Sequence, residues 1–232
     1  MKVSAIIPAA GSGKRMGEIK KPYIVLCGRT MLSHTISVFL QCSLINELVI
    51  VSASGDENKC YCEIVENYDM DKACKVITGG LTRQESVFNG IKNLDTDTDI
   101  VIIHDCARPF LNENMIVKAV KAAEKWGAAT IAVPVGNTIK KADKDGFVVE
   151  TIDREMLWSI QTPQAFQYDL ILKAHTHARE NNIQVTDDTS LVEELGTHKV
   201  KLVMGASENM KITTPGDLVL ARAIIESREE NN

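Results

Sequence analysis

Short apolar runs alternate with amphipathic stretches along most of this chain. Runs at residues 3–7, 48–52, 75–78, 100–104, 130–135 and 199–204 read as strands that are apolar on both faces. Between them, apolar positions recur at helical spacing over residues 31–41, 56–68, 84–94, 113–126, 168–181, 188–195 and 215–228. The last helix has a strong start: Thr214 as N-cap, Pro215 at the first helical position and Asp217 in the first turn. Buried strands separated by helices predict an α/β fold, a Rossmann-like, mostly parallel sheet with helices on both faces. Ligands of such sheets sit beyond the carboxyl ends of the strands. That rule selects the loops after Ile7, Thr78, His104 and Val135.

The alternation breaks at residues 137–160. Two short strands flank the turn sequence Asp143-Lys144-Asp145-Gly146, so a β-hairpin arm is expected to protrude from a single domain of residues 1–232. A lone hairpin is marginal in water and needs a surface, either its own domain or a second subunit.

Composition narrows the class. The 232 residues can bury one full core. A net charge of −5 argues against a nucleic-acid binder. No apolar run approaches the ~20 residues of a membrane span, and the first run is too short for a signal peptide. The six cysteines (27, 42, 60, 62, 74 and 106) include no CxxC pair. Reduced thiols in the cytoplasm are therefore expected, rather than disulfides or a structural zinc. His175 and His177, two apart on a helix, read as surface residues.

The chemistry concentrates at the loops. Ala9, Ala10, Gly11, Ser12 and Gly13 follow the first strand and let backbone approach a ligand closely. Lys14, Arg15, Lys20 and Lys21 stand behind them, as expected of a polyphosphate loop. Gly11, Gly13 and Gly17 form GxGxxxG, neither the dinucleotide fingerprint nor a Walker loop. For the glycines alone, a solvated turn is an equal reading. After Thr78, Gly79-Gly80 precede a helix whose positive end faces the ligand side. There Arg83 reaches towards a phosphate or ribose, and Ser86 faces either a base edge or the core. Asp105, at the end of a buried strand, suits a divalent cation; otherwise it closes a turn and pairs with Arg108. Arg154 is a phosphate clamp or a surface residue. Val185-Thr186-Asp187 reads foremost as a helix cap.

Five segments in order, PAAGSGKRMG with the following Lys21, GGLTRQESV, HDCARPF, DREMLWSIQTPQAF and NMKIT, resemble the 2-C-methyl-D-erythritol 4-phosphate cytidylyltransferases. The resemblance implies transfer of a cytidylyl group from CTP to that polyol phosphate, with release of pyrophosphate. It implies Arg15, Lys21 and Lys211 as catalytic cations, and Ala9, Ala10, Gly11, Gly13, Gly80, Arg83 and Ser86 around the nucleotide. It implies Asp105 as the Mg2+ ligand, and Asp105, Arg108, Thr138, Arg154, Thr162 and Thr186 around the second substrate. It also implies a homodimer in which the arm reaches the partner's site. Cys106 stands where a small alanine is expected, a mild change because a buried cysteine acts as a small hydrophobe. A ribitol-5-phosphate cytidylyltransferase and a non-catalytic nucleotide-binding module are the alternatives.

Overall fold

The first apolar run is β1 (Val3–Pro8), an interior strand of a seven-stranded sheet. The computed structural model describes residues 1–11, 20–65 and 73–230. Two two-residue strands, β2 (Val25–Leu26) and β3 (Arg29–Thr30), pair with each other and lead into α1 (Met31–Gln41). There follow β4 (Glu47–Ser52), α2 (Glu57–Val65), β5 (Ala73–Thr78), α3 (Arg83–Lys92), β6 (Ile100–Ile103), α4 (Glu113–Trp126) and β7 (Ala128–Pro134). The hairpin is β8 (Ile139–Ala142) with β9 (Val148–Ile152). The chain continues through β10 (Trp158–Gln167), α5 (Tyr168–Glu180), α6 (Asp188–Leu195), β11 (Lys201–Met204) and α7 (Pro215–Glu230). The end of the helix expected at 56–68 lies outside the described residues.

Strand order is β11-β7-β10-β6-β1-β4-β5. Neighbours are parallel except β10, which runs antiparallel to both β6 and β7. The hydrophobic pattern does not predict β10. Its buried half carries Gln161, Thr162 and Gln164, polar residues where a central strand should be apolar. Its register shifts between Ile160 and Gln164, which is how a proline at 163 is accommodated inside a sheet.

Each face of the sheet buries its own core. On one, Ala5, Ile7, Leu48, Ile50 and Ile102 pack with α1, α2 and α4 through Phe39, Cys60 and Ile116. On the other, Ile6, Val49, Val51, Val101 and Ile103 pack with α3, α5 and α6 through Val87, Ile171 and Val192. Alternate residues of one run thus enter opposite cores, which is why the strands read as continuous apolar segments. A third, smaller cluster around Phe110 and Ile212 seats α7 through Ala221 and Ile225.

The arm stands apart as its own two-stranded sheet. Gly146, at φ 87°, closes its turn, and Asp143 Oδ1 accepts from the N–H groups of Asp145 and Phe147. Its apolar residues face outwards: Phe147, Val148 and Val149 are all well over half exposed.

His175 departs from the surface position expected of it. With Ile171, Ala174 and Ala178 it lies on the buried stripe of α5, and it is 2% exposed. A stripe at i, i+3, i+4 and i+7 carries every residue on it inwards, whatever its polarity.

Candidate functional site

The loops after β1, β5 and β6 converge on one cleft. Pro8 to Gly11 and Lys21 line it from the first loop, Leu81 to Arg83 with Ser86 from the second, and Asp105 to Ala107 from the third. Lys211, just before α7, completes it. Arg15 and Gly13 lie outside the described residues. Lys20, one of the four cations near the first loop, pairs with Asp56 at 2.7 Å. Val135 and the loop after β7 take no part in this cleft.

The second loop is wound onto the first turn of α3. Thr82 caps the helix, its side chain accepting from the Glu85 N–H, and Glu85 in turn accepts from the Leu81 N–H at 2.7 Å. Ser86 Oγ donates to the Thr82 carbonyl at 2.9 Å and accepts from the Gly80 N–H at 3.1 Å. The Ser86 proton is therefore committed, and the hydroxyl offers a ligand only its remaining lone pair. A Cβ on Gly79 would lie 2.8 Å from Ala10 Cβ and from Ser86 Oγ, so this glycine is where the first two loops touch.

Asp105 is held from both sides. Arg83 Nε donates to its Oδ1 at 2.9 Å, and Lys211 Nζ to its Oδ2 at 2.7 Å. Burial works against ionisation, but Arg83 and Lys211 more than offset it and hold the carboxyl well below the usual carboxylate range. Pairing of Asp105 with Arg108, the alternative left open by the sequence, does not occur. Arg108 instead donates to the carbonyls of Asn209 at 2.8 Å and Ile160 at 3.4 Å, and its Nε is buried without a partner among the described residues. Lys211 is placed by its neighbour: the Ile212 N–H donates to the Ala107 carbonyl at 2.8 Å.

A buried ladder fixes the turn that carries Asp105. The Asp105 N–H donates to Thr162 Oγ1 at 3.1 Å, which lies 3.0 Å from His104 Nδ1; His104 Nε2 lies 3.0 Å from the Arg108 carbonyl. A carbonyl only accepts, so the proton sits on Nε2 and Thr162 donates to Nδ1. Burial lowers the His104 pKa to about 4, consistent with a neutral ring. The Thr162 hydroxyl is thus engaged inside the protein.

A second cleft opens on the other side of the same charges. Arg108, Thr162, Gln164, Thr186 and Asp187 line it, together with Arg83, Asp105 and Lys211. The last three residues form the wall common to both clefts. Thr138 and Arg154 line neither cleft; they are exposed at the arm, where Arg154 donates to the Gly136 carbonyl.

Sequence reasoning missed one part of this cluster. Arg83 Nη1 donates to Asp188 Oδ2 at 2.7 Å, so the guanidinium bridges two carboxylates. Asp187 is the cap of α6, accepting from the Ser190 N–H at 3.2 Å, whereas Asp188 turns inwards. The second acid after a sufficient cap was the available signal.

Among the described residues no group of three or more His, Cys, Asp or Glu could cage a metal. Asp105 fits a magnesium ion that takes most of its ligands from phosphate and water: it is ionised, and each oxygen keeps a lone pair beyond its bond to Arg83 or Lys211.

Comparison with known proteins shows the family. The family model described as IspD, 2-C-methyl-D-erythritol 4-phosphate cytidylyltransferase, matches residues 3–227. The 2-C-methyl-D-erythritol 4-phosphate cytidylyltransferase of Pelotomaculum thermopropionicum is 47% identical over 229 residues, 98% of this chain and 96% of that one. The crystal structure of 4-diphosphocytidyl-2C-methyl-D-erythritol synthase from Anaerococcus prevotii matches with a TM-score of 0.87 and 35% identity, covering 97% of this chain and 96% of that one. That of the Thermus thermophilus cytidylyltransferase matches with a TM-score of 0.80 and 30% identity, covering 97% of this chain and 100% of that one. The chain belongs to the 2-C-methyl-D-erythritol 4-phosphate cytidylyltransferase family.

Proposed function

We propose that this chain transfers the cytidylyl group of CTP to 2-C-methyl-D-erythritol 4-phosphate where its two clefts meet. The observation that carries this reading is the shared wall of Arg83, Asp105 and Lys211. CTP occupies the cleft of the first two loops, and the polyol phosphate occupies the cleft of Arg108, Thr162 and Thr186. A phosphate oxygen of the polyol attacks the α-phosphorus of CTP, a new P–O bond forms, and the bond to the β-phosphate breaks to release pyrophosphate. The attacking phosphate is already an anion, so no general base is needed. The work left to the protein is to position two polyanions and to stabilise charge on the α-phosphate. Lys21, Lys211 and Arg15 supply fixed positive charge. Ser86, left with acceptor capacity, suits the amino group of cytosine. Asp105 holds the magnesium ion, whose charge offsets that of the triphosphate.

The arm is the remaining part. Thr138 and Arg154 lie away from the clefts of their own chain, and Phe147, Val148 and Val149 leave an apolar surface on the arm. Both features fit a homodimer in which each arm carries Arg154 to the partner's second cleft. We place the enzyme in the cytoplasm, with its thiols reduced.

Pyrophosphate release with magnesium and CTP, offering methylerythritol 4-phosphate and ribitol 5-phosphate in parallel, tests the reaction. Turnover with the first is expected; turnover with ribitol phosphate alone would overturn the substrate. For the arm, Arg154→Ala and Lys211→Ala chains, each strongly slowed alone, are expected to regain activity when mixed. A site using the Arg154→Ala cleft and the other chain's arm is complete only if the arm acts across the dimer. Gly79→Ala forces a methyl group against Ala10 and Ser86. It is expected to cost about 1–3 kcal/mol of stability and to raise the KM for CTP; denaturant titration and initial rates check both.

A further inference from the structure

Arg83 has two carboxylates to choose between, and the choice decides where its charge points. If it lost Asp188, the guanidinium would be free to turn fully onto Asp105 and pair with it bidentately. That rotation would take up a further lone pair of Asp105 and withdraw the arginine from the second cleft. What holds Asp188 in place therefore bears on catalysis. Its backbone is tied to β10, with the Asp188 N–H donating to Gln164 Oε1 at 3.1 Å. Its side chain is buried, with Arg83 on Oδ2 and His175 Nε2 3.2 Å from Oδ1.

His175 is itself clamped. Its ring stacks on Phe88 of α3, with centroids 5.8 Å apart and planes 5° from parallel. Lys92 and Arg179 also lie over the Phe88 ring, 4.9 and 5.7 Å from its centroid. Nε2 is fully buried, and the Asp188 carboxylate 3.2 Å away is the one group it faces at ion-pair distance among the described residues. A polar atom buried this deeply at ion-pair distance from one carboxylate acts on it through charge and dipole.

We propose that His175 is a positioning residue for cytidylyl transfer, orienting the Asp188 carboxylate so that Asp188 holds Arg83 across the wall shared by the two clefts. His175 touches neither cleft of the proposed reaction; it acts on the phosphates only through Asp188 and Arg83. The inference rests on the placement of Arg83 at the reacting phosphates.

The test separates orientation from packing. His175→Phe keeps a ring against Phe88 and loses Nε2, whereas His175→Gln gives up the ring and returns an N–H donor near the same point. If His175 orients Asp188, His175→Phe is expected to lower kcat about tenfold, short of the ~10²-fold that a 1 Å misplacement can cost. His175→Gln is then expected to regain most of the loss, and His175→Phe to add little in an Asp188→Asn background. A kcat ranking of Phe at or above Gln would assign His175 to packing alone and overturn the proposal. If His175→Phe fails to fold by thermal melting, His175→Met against His175→Gln makes the same comparison. Arg83→Ala is measured alongside. If it turns over normally, the placement of Arg83 fails and this inference with it. If it is inactive while His175→Phe is normal, the inference alone fails.

Discussion

Replacing Lys211 with alanine is expected to slow pyrophosphate release by about 10²–10³-fold, the usual cost of losing one preorganised charge at a transition state. Lys211 Nζ lies 2.7 Å from Asp105 Oδ2, on the wall that both clefts share. In the proposed reaction it faces the point where charge grows as pyrophosphate leaves, so the loss should fall mainly on kcat rather than KM. The fold should hardly notice. Asp105, itself only 10% exposed, keeps Arg83 as a partner, and the Lys211 side chain is 40% exposed, so the loss of this half-open pair should cost about 1 kcal/mol. Lys211→Arg should recover part of the rate, because it returns the charge with a different reach. A Lys211→Ala enzyme with unaltered kcat and an unaltered melting temperature would remove this lysine from the mechanism.

The parts of this protein that announce themselves in sequence are those where one local rule acts alone. Helices α1, α4 and α6 match their expected bounds because each has a cap that works by itself. Thr30 accepts from the Ser33 N–H, Asn112 from the Met115 N–H and Asp187 from the Ser190 N–H. Gly127 and Gly196, both at positive φ, end the second and third of these. The loops after β1, β5 and β6 are likewise legible, since small residues and charges follow apolar strands. Strand β10 is not, because its buried residues are polar and are satisfied only by distant partners: Gln161 by Ala206, Gln164 by Asp187. The grip on Arg83 is hidden for the same reason. Asp188 and His175 are 105 and 92 positions away along the chain, roughly the reach only a folded sheet provides, and nothing local distinguishes them from a cap and a surface histidine. Arg154 and Thr138 present the converse case: their motif is clear in sequence, but they line neither cleft of this chain.

Acidification from pH 7 to pH 4.5 should destabilise the protein through His104, in a way that can be isolated from every other group. His104 is fully buried against Phe39, with Thr162 at Nδ1 and the Arg108 carbonyl at Nε2. Burial lowers its pKa from 6.5 to about 4. Between those values the unfolded chain binds a proton that the native ring does not. Stability therefore rises with pH across this window and is lost as pH falls, by up to ~1.4 kcal/mol per unit and about 3 kcal/mol in all. The carboxylates act elsewhere. Asp105 and Asp188 have native pKa values below their ordinary ones, so their contribution is intact above about pH 4 and declines only below it. Urea unfolding at pH 7 and pH 4.5 should show a steep loss for the wild-type chain. His104→Asn should start less stable and lose clearly less over the same range, since the other four histidines are common to both proteins and cancel. Parallel losses would mean that the native ring titrates like an exposed one. The difference matters for the reaction because the neutral ring is the acceptor that orients Thr162, and Thr162 holds the backbone of Asp105. A proton on Nδ1 would replace that acceptor with a second donor and loosen the turn that carries Asp105 between Arg83 and Lys211.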